Sequence, residues 1–363
     1  MDLSENQPRT SLEEEDCSQF AMKLVTASVL PMVLKSVLEL GVLDIIGKAG
    51  PNAHLSASEI ASSLPTKNPG APVMLERMLR LLASHSVLTS TLHAKENGGA
   101  QRLYGLAPVC KYFMANDDGA SMAPFVYMAQ DKVAIESWYH LKGTVLDGGI
   151  PFSNAHGISA TDYLKKDTPF GRIFKQCIRE YNIIYMNKIL DTYKGFEGLK
   201  VLVDIGGGDG SILNMIISKY TSIKGVNFDL PQVIEKVPSY PGVEHVAGDM
   251  FASVPKGDAI FMKNILHCWS DELFVKLMRN CYKALPDSGK VIAVDVMIPE
   301  YKEDTDADAC IFQFDSFLMT INPEGKERTQ EEFGNLAKEA GFAGIRVPCS
   351  AYNFSLMEFY KSM

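Results

Sequence analysis

Between residues 18 and 48 apolar side chains recur at helical spacing: Leu30, Val33, Leu34, Val37 and Leu38 make one stripe, and the segment reads as helix. Pro31 lies inside the stripe and predicts a kink or a break between two helices there. Met22, Val25, Val29, Met32 and Leu40 spread the apolar surface beyond one face. Such breadth suits either a dimer interface or a deeply buried helix. Farther along, Ser56-Ala57-Ser58-Glu59 is a capping box that opens a short helix ending near Leu64. A second helix starts at about Pro72 and carries Met74, Leu75, Met78, Leu79 and Leu82. Two β-type runs, 87–92 and 102–106, flank Lys95-Glu96-Asn97-Gly98-Gly99, whose Asn-Gly pair signals a hairpin. Helix, helix, hairpin is the outline of a winged helix. Its helices offer few basic residues, so a structural or dimerising role is expected rather than DNA binding.

Residues 110–195 read as mainly helical and rich in aromatics, among them Trp138, Tyr139, Phe152, Phe170, Phe174 and Tyr181. From Lys200 the pattern changes. Short β-type runs at 201–205, 225–228, 243–246, 259–263, 291–296, 344–349 and 355–360 alternate with helical stretches. Alternation of this kind predicts an α/β fold with a parallel, doubly wound sheet. The last two runs lie close enough in sequence to pair as an edge hairpin.

Composition narrows the class without naming it. The 363 residues are 46% hydrophobic and 22% charged, which is the balance of a packed globular protein. No apolar run approaches the ~18 residues of a membrane span. The start shows neither a basic patch nor an apolar stretch, so a soluble cytoplasmic enzyme is expected. Of the net charge of -9, a large part is the N-terminal tail, where Asp2, Glu5, Glu13, Glu14, Glu15 and Asp16 face Arg9 alone. That tail is expected to be disordered over residues 1–17. The seven cysteines are scattered, with no C-x-x-C pair, which fits reduced thiols rather than disulfides or a zinc site.

Chemistry concentrates where the first run of the second half ends. Asp204-Ile205-Gly206-Gly207-Gly208-Asp209-Gly210 leads into a helix over 211–220. Glycines allow a sharp turn and close approach of a ligand at the carboxyl end of a strand. A phosphate loop would need Gly-Lys-Ser/Thr, which is missing. The dinucleotide spacing G-x-G-x-x-G is also not met, and Asp209 would repel a pyrophosphate. A cationic sulfonium with an amino-acid tail suits the loop better. Asp229 ends the next strand and can accept from both ribose hydroxyls; Asp249 follows the third and can accept from an adenine amine, with Met250 packing on the ring. Either acid alone would as readily be a helix N-cap. Together with the loop they point to S-adenosylmethionine.

Five segments carry a resemblance: Leu202-Val203-Asp204-Ile205-Gly206-Gly207-Gly208, Asn227-Phe228-Asp229-Leu230-Pro231, Gly242-Val243-Glu244-His245-Val246, Gly248-Asp249-Met250-Phe251 and Asn322-Pro323-Glu324-Gly325-Lys326-Glu327-Arg328-Thr329. With Ala27-Ser28-Val29-Leu30-Pro31-Met32-Val33-Leu34 and Asp147-Gly148-Gly149-Ile150-Pro151-Phe152, they closely resemble the plant caffeic acid O-methyltransferase family. The resemblance extends over nearly the whole chain beyond residue 17. It implies a homodimer formed through an N-terminal domain over 18–115. Over 116–363 it implies a helical acceptor-binding linker and a Rossmann-like domain holding S-adenosyl-L-methionine, with S-adenosyl-L-homocysteine as product. The family implies no metal; no nucleic-acid or membrane partner is expected either, on the lack of a basic footprint and of a long apolar run. Its cofactor contacts map onto Gly206, Asp229, Leu230, Asp249, Met250 and Lys263; its general base maps onto His267, and its two supporting acids onto Glu327 and Asp295.

His267 also stands out on its own terms, because it follows the run 259–263 and so lies at the carboxyl end of a strand. A phenol has a pKa of about 10 and a neutral histidine about 6.5, so full proton transfer before attack would cost roughly 5 kcal/mol. Removing the proton as the methyl group arrives avoids that state. Glu327 or Asp295 on the second ring nitrogen would fix the tautomer. Departures from the family pattern cluster around the acceptor. Cys268 replaces a common aspartate, Asp295 a glutamate, and Leu318 a frequent methionine, while Phe174-Lys175-Gln176-Cys177-Ile178-Arg179-Glu180-Tyr181-Asn182 is unlike the usual segment. His-Cys-Trp is also similar to anthranilate N-methyltransferases, so an aromatic amine is the alternative acceptor to a small phenol. Arg179 is a conceivable partner for an acceptor carboxylate, though a surface role fits it better.

Overall fold

The computed structural model of the chain describes residues 11–94, 98–300, 306–322 and 324–362. It divides into two compact units. One takes the chain up to Lys132 together with Arg172–Glu180; the other takes Val133–Gly171 and everything from Tyr181.

In the first unit, helices Ser11–Val25, Val29–Glu39 and Val42–Lys48 lead into strand β1 (Leu55–Ser56). Ser56 then caps helix Ala57–Ser62, with the reciprocal Glu59 bond of the expected capping box. Helix Ala71–Ser84 and strands β2 (Leu88–Ala94) and β3 (Ala100–Leu106) complete a three-stranded antiparallel sheet of order β1-β3-β2. The hairpin forms as expected, and residues 95–97 of its turn lie outside the described residues. Leu38, Val42, Ile46, Ile60, Leu79 and Leu82 build this unit's core.

Two expectations are corrected here. The helix break falls at residues 26–28, not at Pro31, which sits in the first turn of Val29–Glu39. A proline is tolerated there because first-turn N–H groups have no helical partner to lose. Residues 11–17, expected to be disordered, belong to helix Ser11–Val25, whose first turns carry glutamates favourable to a helix N-terminus; residues 1–10 lie outside the described residues. The deeply buried alternative for this stretch also fails over its first part. Phe20 is 62% exposed and Val25 76%, with Met22 and Leu24 exposed beside them.

The second unit is built on an eight-stranded sheet. Strands β4 (Val201–Ile205), β5 (Lys224–Asp229), β6 (Val243–Ala247), β7 (Ala259–Lys263) and β8 (Lys290–Ile298) are parallel. The short β9 (Arg328–Thr329) pairs with β8, and the hairpin β10 (Gly344–Ala351) and β11 (Phe354–Tyr360) closes one edge antiparallel. The order is β10-β11-β8-β7-β4-β5-β6. All seven expected strands form; β4, β7 and β8, buried on both faces, read as near-continuous apolar runs, while β10 alternates buried and more exposed positions at the edge. β1 and β9 were not expected; each has two residues and exists only through its pairing. Helices Asp271–Ala284 and Gln330–Glu339 pack Phe274, Leu277 and Phe333 onto one face of the sheet. The chain starts at β4, moves outward through β5 and β6, then returns to β7 on the other side of β4. That reversal makes the carboxyl ends of β4 and β7 the switch point, where open α/β sheets bind ligands.

Candidate active site

The glycine loop leaves β4 at this switch point. Gly206, Gly208 and Gly210 have φ of 65°, 58° and 79°, a region that side-chain-bearing residues avoid. Gly206 N–H donates to Phe228 O at 2.8 Å, which ties the loop to β5. A Cβ on Gly206 would strike Ile265, and one on Gly207 would strike Asn227 and Asp204, whereas Gly208 faces open space. The loop is therefore packed from below and bare above. Asp229 Oδ2 accepts from Gly208 N–H at 2.9 Å, and its Oδ1 accepts from Leu230 N–H at 2.7 Å. Asp249 is exposed and accepts from Phe251 N–H at 2.8 Å, and Met250 is half-buried. Both acids thus do turn-capping work, and each keeps lone pairs for a ligand. Leu230 is exposed beside Asp229. An open backbone cradle with two carboxylates on the next strand ends fits a nucleoside carrying a cationic amino-acid tail.

Lys263 is placed differently from these. It is buried at the end of β7, donates to Asn182 Oδ1 at 2.8 Å, and has the Tyr181 and Phe354 rings 5.0 and 4.7 Å from its ammonium. Burial brings its pKa down to about 7 against the opposing charge of Asp295. The departure at 181–182 is therefore one package: Tyr181 packs at a tilt on Tyr185 and edge-on to Phe354, and Asn182 holds the lysine.

Beyond β7 the chain turns through Asn264, whose φ of 56° a residue with a short amide side chain tolerates. A single 3-10 turn, Leu266–Cys268, then presents His267. Its Nδ1 lies 2.8 Å from Glu327 Oε1. A carboxylate only accepts, so Nδ1 carries the proton and Nε2 is left as the proton acceptor. Asp295 Oδ1 stands 4.0 Å from the same nitrogen, too far for a hydrogen bond. Its other oxygen accepts from Leu266 N–H at 3.3 Å, so Asp295 supports the turn and places its charge near the ring. Burial pulls the His267 pKa down, but the hydrogen bonds with Cys268 and Glu327 and the charge of Asp295 outweigh it, and the ring is held well above the ordinary range. Burial pushes Asp295 up to about 7, opposed by His267 and reinforced by Glu327. Cys268 points back into its own turn, its thiol 3.6 Å from Asn264 O.

Several supporting residues escaped sequence reasoning. Arg328 is fully buried and donates to Leu266 O at 3.0 Å, Trp269 O at 2.7 Å and Asp271 Oδ1 at 2.9 and 2.7 Å, with Phe274 under its guanidinium. It clamps the turn that carries His267 from both sides. Asn322 donates to Cys268 O at 2.7 Å, and Asp315 accepts from Glu327 N–H at 3.0 Å. Gly325 approaches His267 O so closely that any Cβ would collide. Arg328, Asn322 and Gly325 were all visible inside the segment 322–329, but only as part of a motif. Leu318 is buried, and Arg179 is exposed. Among the described residues no group of His, Cys, Asp and Glu side chains is gathered to hold a metal ion, and no single helix is long and apolar enough to cross a membrane.

Sheet order, loop and acids together define a Rossmann-like, S-adenosylmethionine-dependent methyltransferase. An O-methyltransferase domain model matches residues 138–343 and an O-methyltransferase dimerisation domain model matches 22–116, and the chain belongs to this O-methyltransferase family. It is 56% identical to a caffeic acid 3-O-methyltransferase of Rosa chinensis, over 98% of this chain and 97% of the relative. It is 55% identical to a caffeic acid 3-O-methyltransferase of Medicago sativa over the same shares, 98% and 97%. Among solved structures, human N-acetylserotonin methyltransferase in complex with SAM shares the fold, with a TM-score of 0.75, 20% identity and full coverage (100%) of both chains.

Proposed function

We propose that the protein methylates a hydroxyl of a small phenol of phenylpropanoid type, with His267 as general base, and that it works as a homodimer. One observation carries the base assignment: Glu327 occupies Nδ1 of a ring at the switch point, which leaves Nε2 to take a proton. Gly206, Asp229, Leu230, Asp249, Met250 and Lys263 would hold the cofactor, Asp229 at the ribose and Asp249 at the adenine amine. Bound S-adenosylmethionine supplies an electrophilic methyl group on a sulfonium leaving group. The chain's own contribution is alignment and proton removal. A His267 pKa held above the ordinary value narrows the gap to a phenol and makes the transfer less uphill. The names of the relatives support a phenolic acceptor. The exposed apolar side chains Met22, Leu24 and Val25, at the start of the matched dimerisation domain, support the dimer.

An arylamine is the second reading. Asp295 makes no hydrogen bond to His267, and an amine with a free lone pair asks less of the base. Labelled cofactor incubated with a panel of phenols and arylamines separates the two. The highest kcat/KM is expected on a phenol; a general preference for arylamines would overturn the O-methyl reading.

The pH profile tests the base directly. Activity needs neutral His267, so kcat/KM should rise with pH through its pKa, along a limb displaced above about 6.5. Glu327→Gln removes a negative charge that favours the imidazolium. The limb should then move to lower pH while kcat falls. A limb that stays in place in Glu327→Gln would mean that a different group titrates.

A further inference from the structure

Three polar side chains lie side by side beneath the glycine loop. The registers of the parallel strands pair Asp204 on β4 with Asn227 on β5, and Asn227 with His245 on β6. Asp204 and Asn227 are buried. Asn227 Nδ2 lies 3.0 Å from both Gly208 O and His245 Nδ1, and His245 Nε2 lies 2.9 Å from Pro238 O.

Two backbone carbonyls set every orientation in this row. Pro238 O only accepts, so His245 Nε2 carries a proton. Gly208 O only accepts, so the amide nitrogen of Asn227, and not its oxygen, faces the loop. Nδ2 then spends its second hydrogen on His245 Nδ1, which must be the lone-pair nitrogen of a neutral ring. Asn227 Oδ1 is left turned toward β4. Asp204 Oδ2 lies on that side, and both oxygens are buried with no hydrogen-bond partner among the described residues. The two crowd the same point, since a Cβ on Gly207 would collide with each of them. Two acceptors cannot face one another in a buried site without a hydrogen between them.

We propose that Asp204 is a neutral carboxylic acid that donates its proton to Asn227 Oδ1. The row Asp204–Asn227–His245 is then a closed positioning device that fixes Gly208 for the cofactor. The charges acting on Asp204 come from Asp229 at the end of β5 and Asp209 in the loop; both are negative and, after burial itself, hold its pKa well above the carboxylate range. On the cofactor assignment made above, Asp204 acts through Asn227 and Gly208 and need not serve as a counter-ion to the bound cation.

Infrared difference spectra of the cofactor-free wild type and Asp204→Asn test the proton. A protonated-carboxyl band is expected in the wild type and absent from the variant; a difference showing only carboxylate bands would overturn the proposal. Nitrogen NMR of the full chain should report His245 as the neutral Nε2–H tautomer near neutral pH, and the opposite tautomer or a cation would equally overturn it. Calorimetry with S-adenosylhomocysteine reads the consequence. Asp204→Asn keeps a neutral donor and should bind within about threefold of wild type. Asn227→Asp loses both amide hydrogens and should bind about tenfold to a hundredfold more weakly. Equal losses in the two folded variants would assign Asp204 a charged role instead. The spectroscopic arms use protein without cofactor, so their failure is distinct from failure of the cofactor assignment, which Asp229→Ala tests by the same calorimetry.

Discussion

His267→Ala should lower kcat on the best phenol by about 10²–10⁴-fold, the usual contribution of a positioned general base. Binding of S-adenosylhomocysteine should stay within about twofold, because the ring acts on the proton and the loss then falls on the transition state alone. The remaining rate reflects alignment of acceptor and methyl donor, which alanine leaves in place. It should increase with pH without the limb seen in wild type, as solvent hydroxide takes over from the side chain. Single-turnover rates across the pH range make the measurement independent of product release. Full activity in His267→Ala would remove the base assignment and with it the role given to Glu327.

Arg328→Ala is expected to cost about 3 kcal/mol of stability, since the buried Leu266 O and the half-buried Trp269 O each lose a charged donor at ~1–3 kcal/mol, Leu266 O keeping only the long bond from Trp269 N–H. A void left under Phe274 adds to that. Lysine should not restore it: one ammonium cannot reproduce a planar fork that reaches two carbonyls and a carboxylate at once. Urea unfolding followed by tryptophan fluorescence reads the loss, helped by Trp269 lying in the clamped turn. In the folded fraction kcat should fall as well, because the same clamp sets the position of His267. An unchanged unfolding midpoint would show that the turn is held by something other than Arg328.

Parts of this site were legible in sequence because they are local. The glycine spacing after an apolar run, and an acid at the end of each of the next two runs, are short-range patterns. Each placed its residue along the carboxyl edge of the sheet, the glycine loop at the switch point and the two acids beside it, once the strands formed. His267 was legible for the same reason, as a titratable group just past a strand. Its partner was not decided that way. Glu327 and Asp295 both qualified, and the fold chose Glu327 at 2.8 Å over Asp295 at 4.0 Å. The first helices show the same limit. Helical periodicity was correct there, but Pro31 was given a break that its first-turn position makes unnecessary.

By itself the sequence determined the class of fold and the glycine loop, and it singled out His267 as the candidate base, since strand and helix periods and glycine conformational freedom depend on neighbours along the chain. Only the tertiary structure decided which carboxylate orients His267, that Arg328 holds its turn, and that Asp204, Asn227 and His245 stand in one row. Those relations join residues far apart in the chain through strand register and side-chain reach. A register is settled by the packing of the whole sheet, and a one-residue slip would send each of the three to the opposite face.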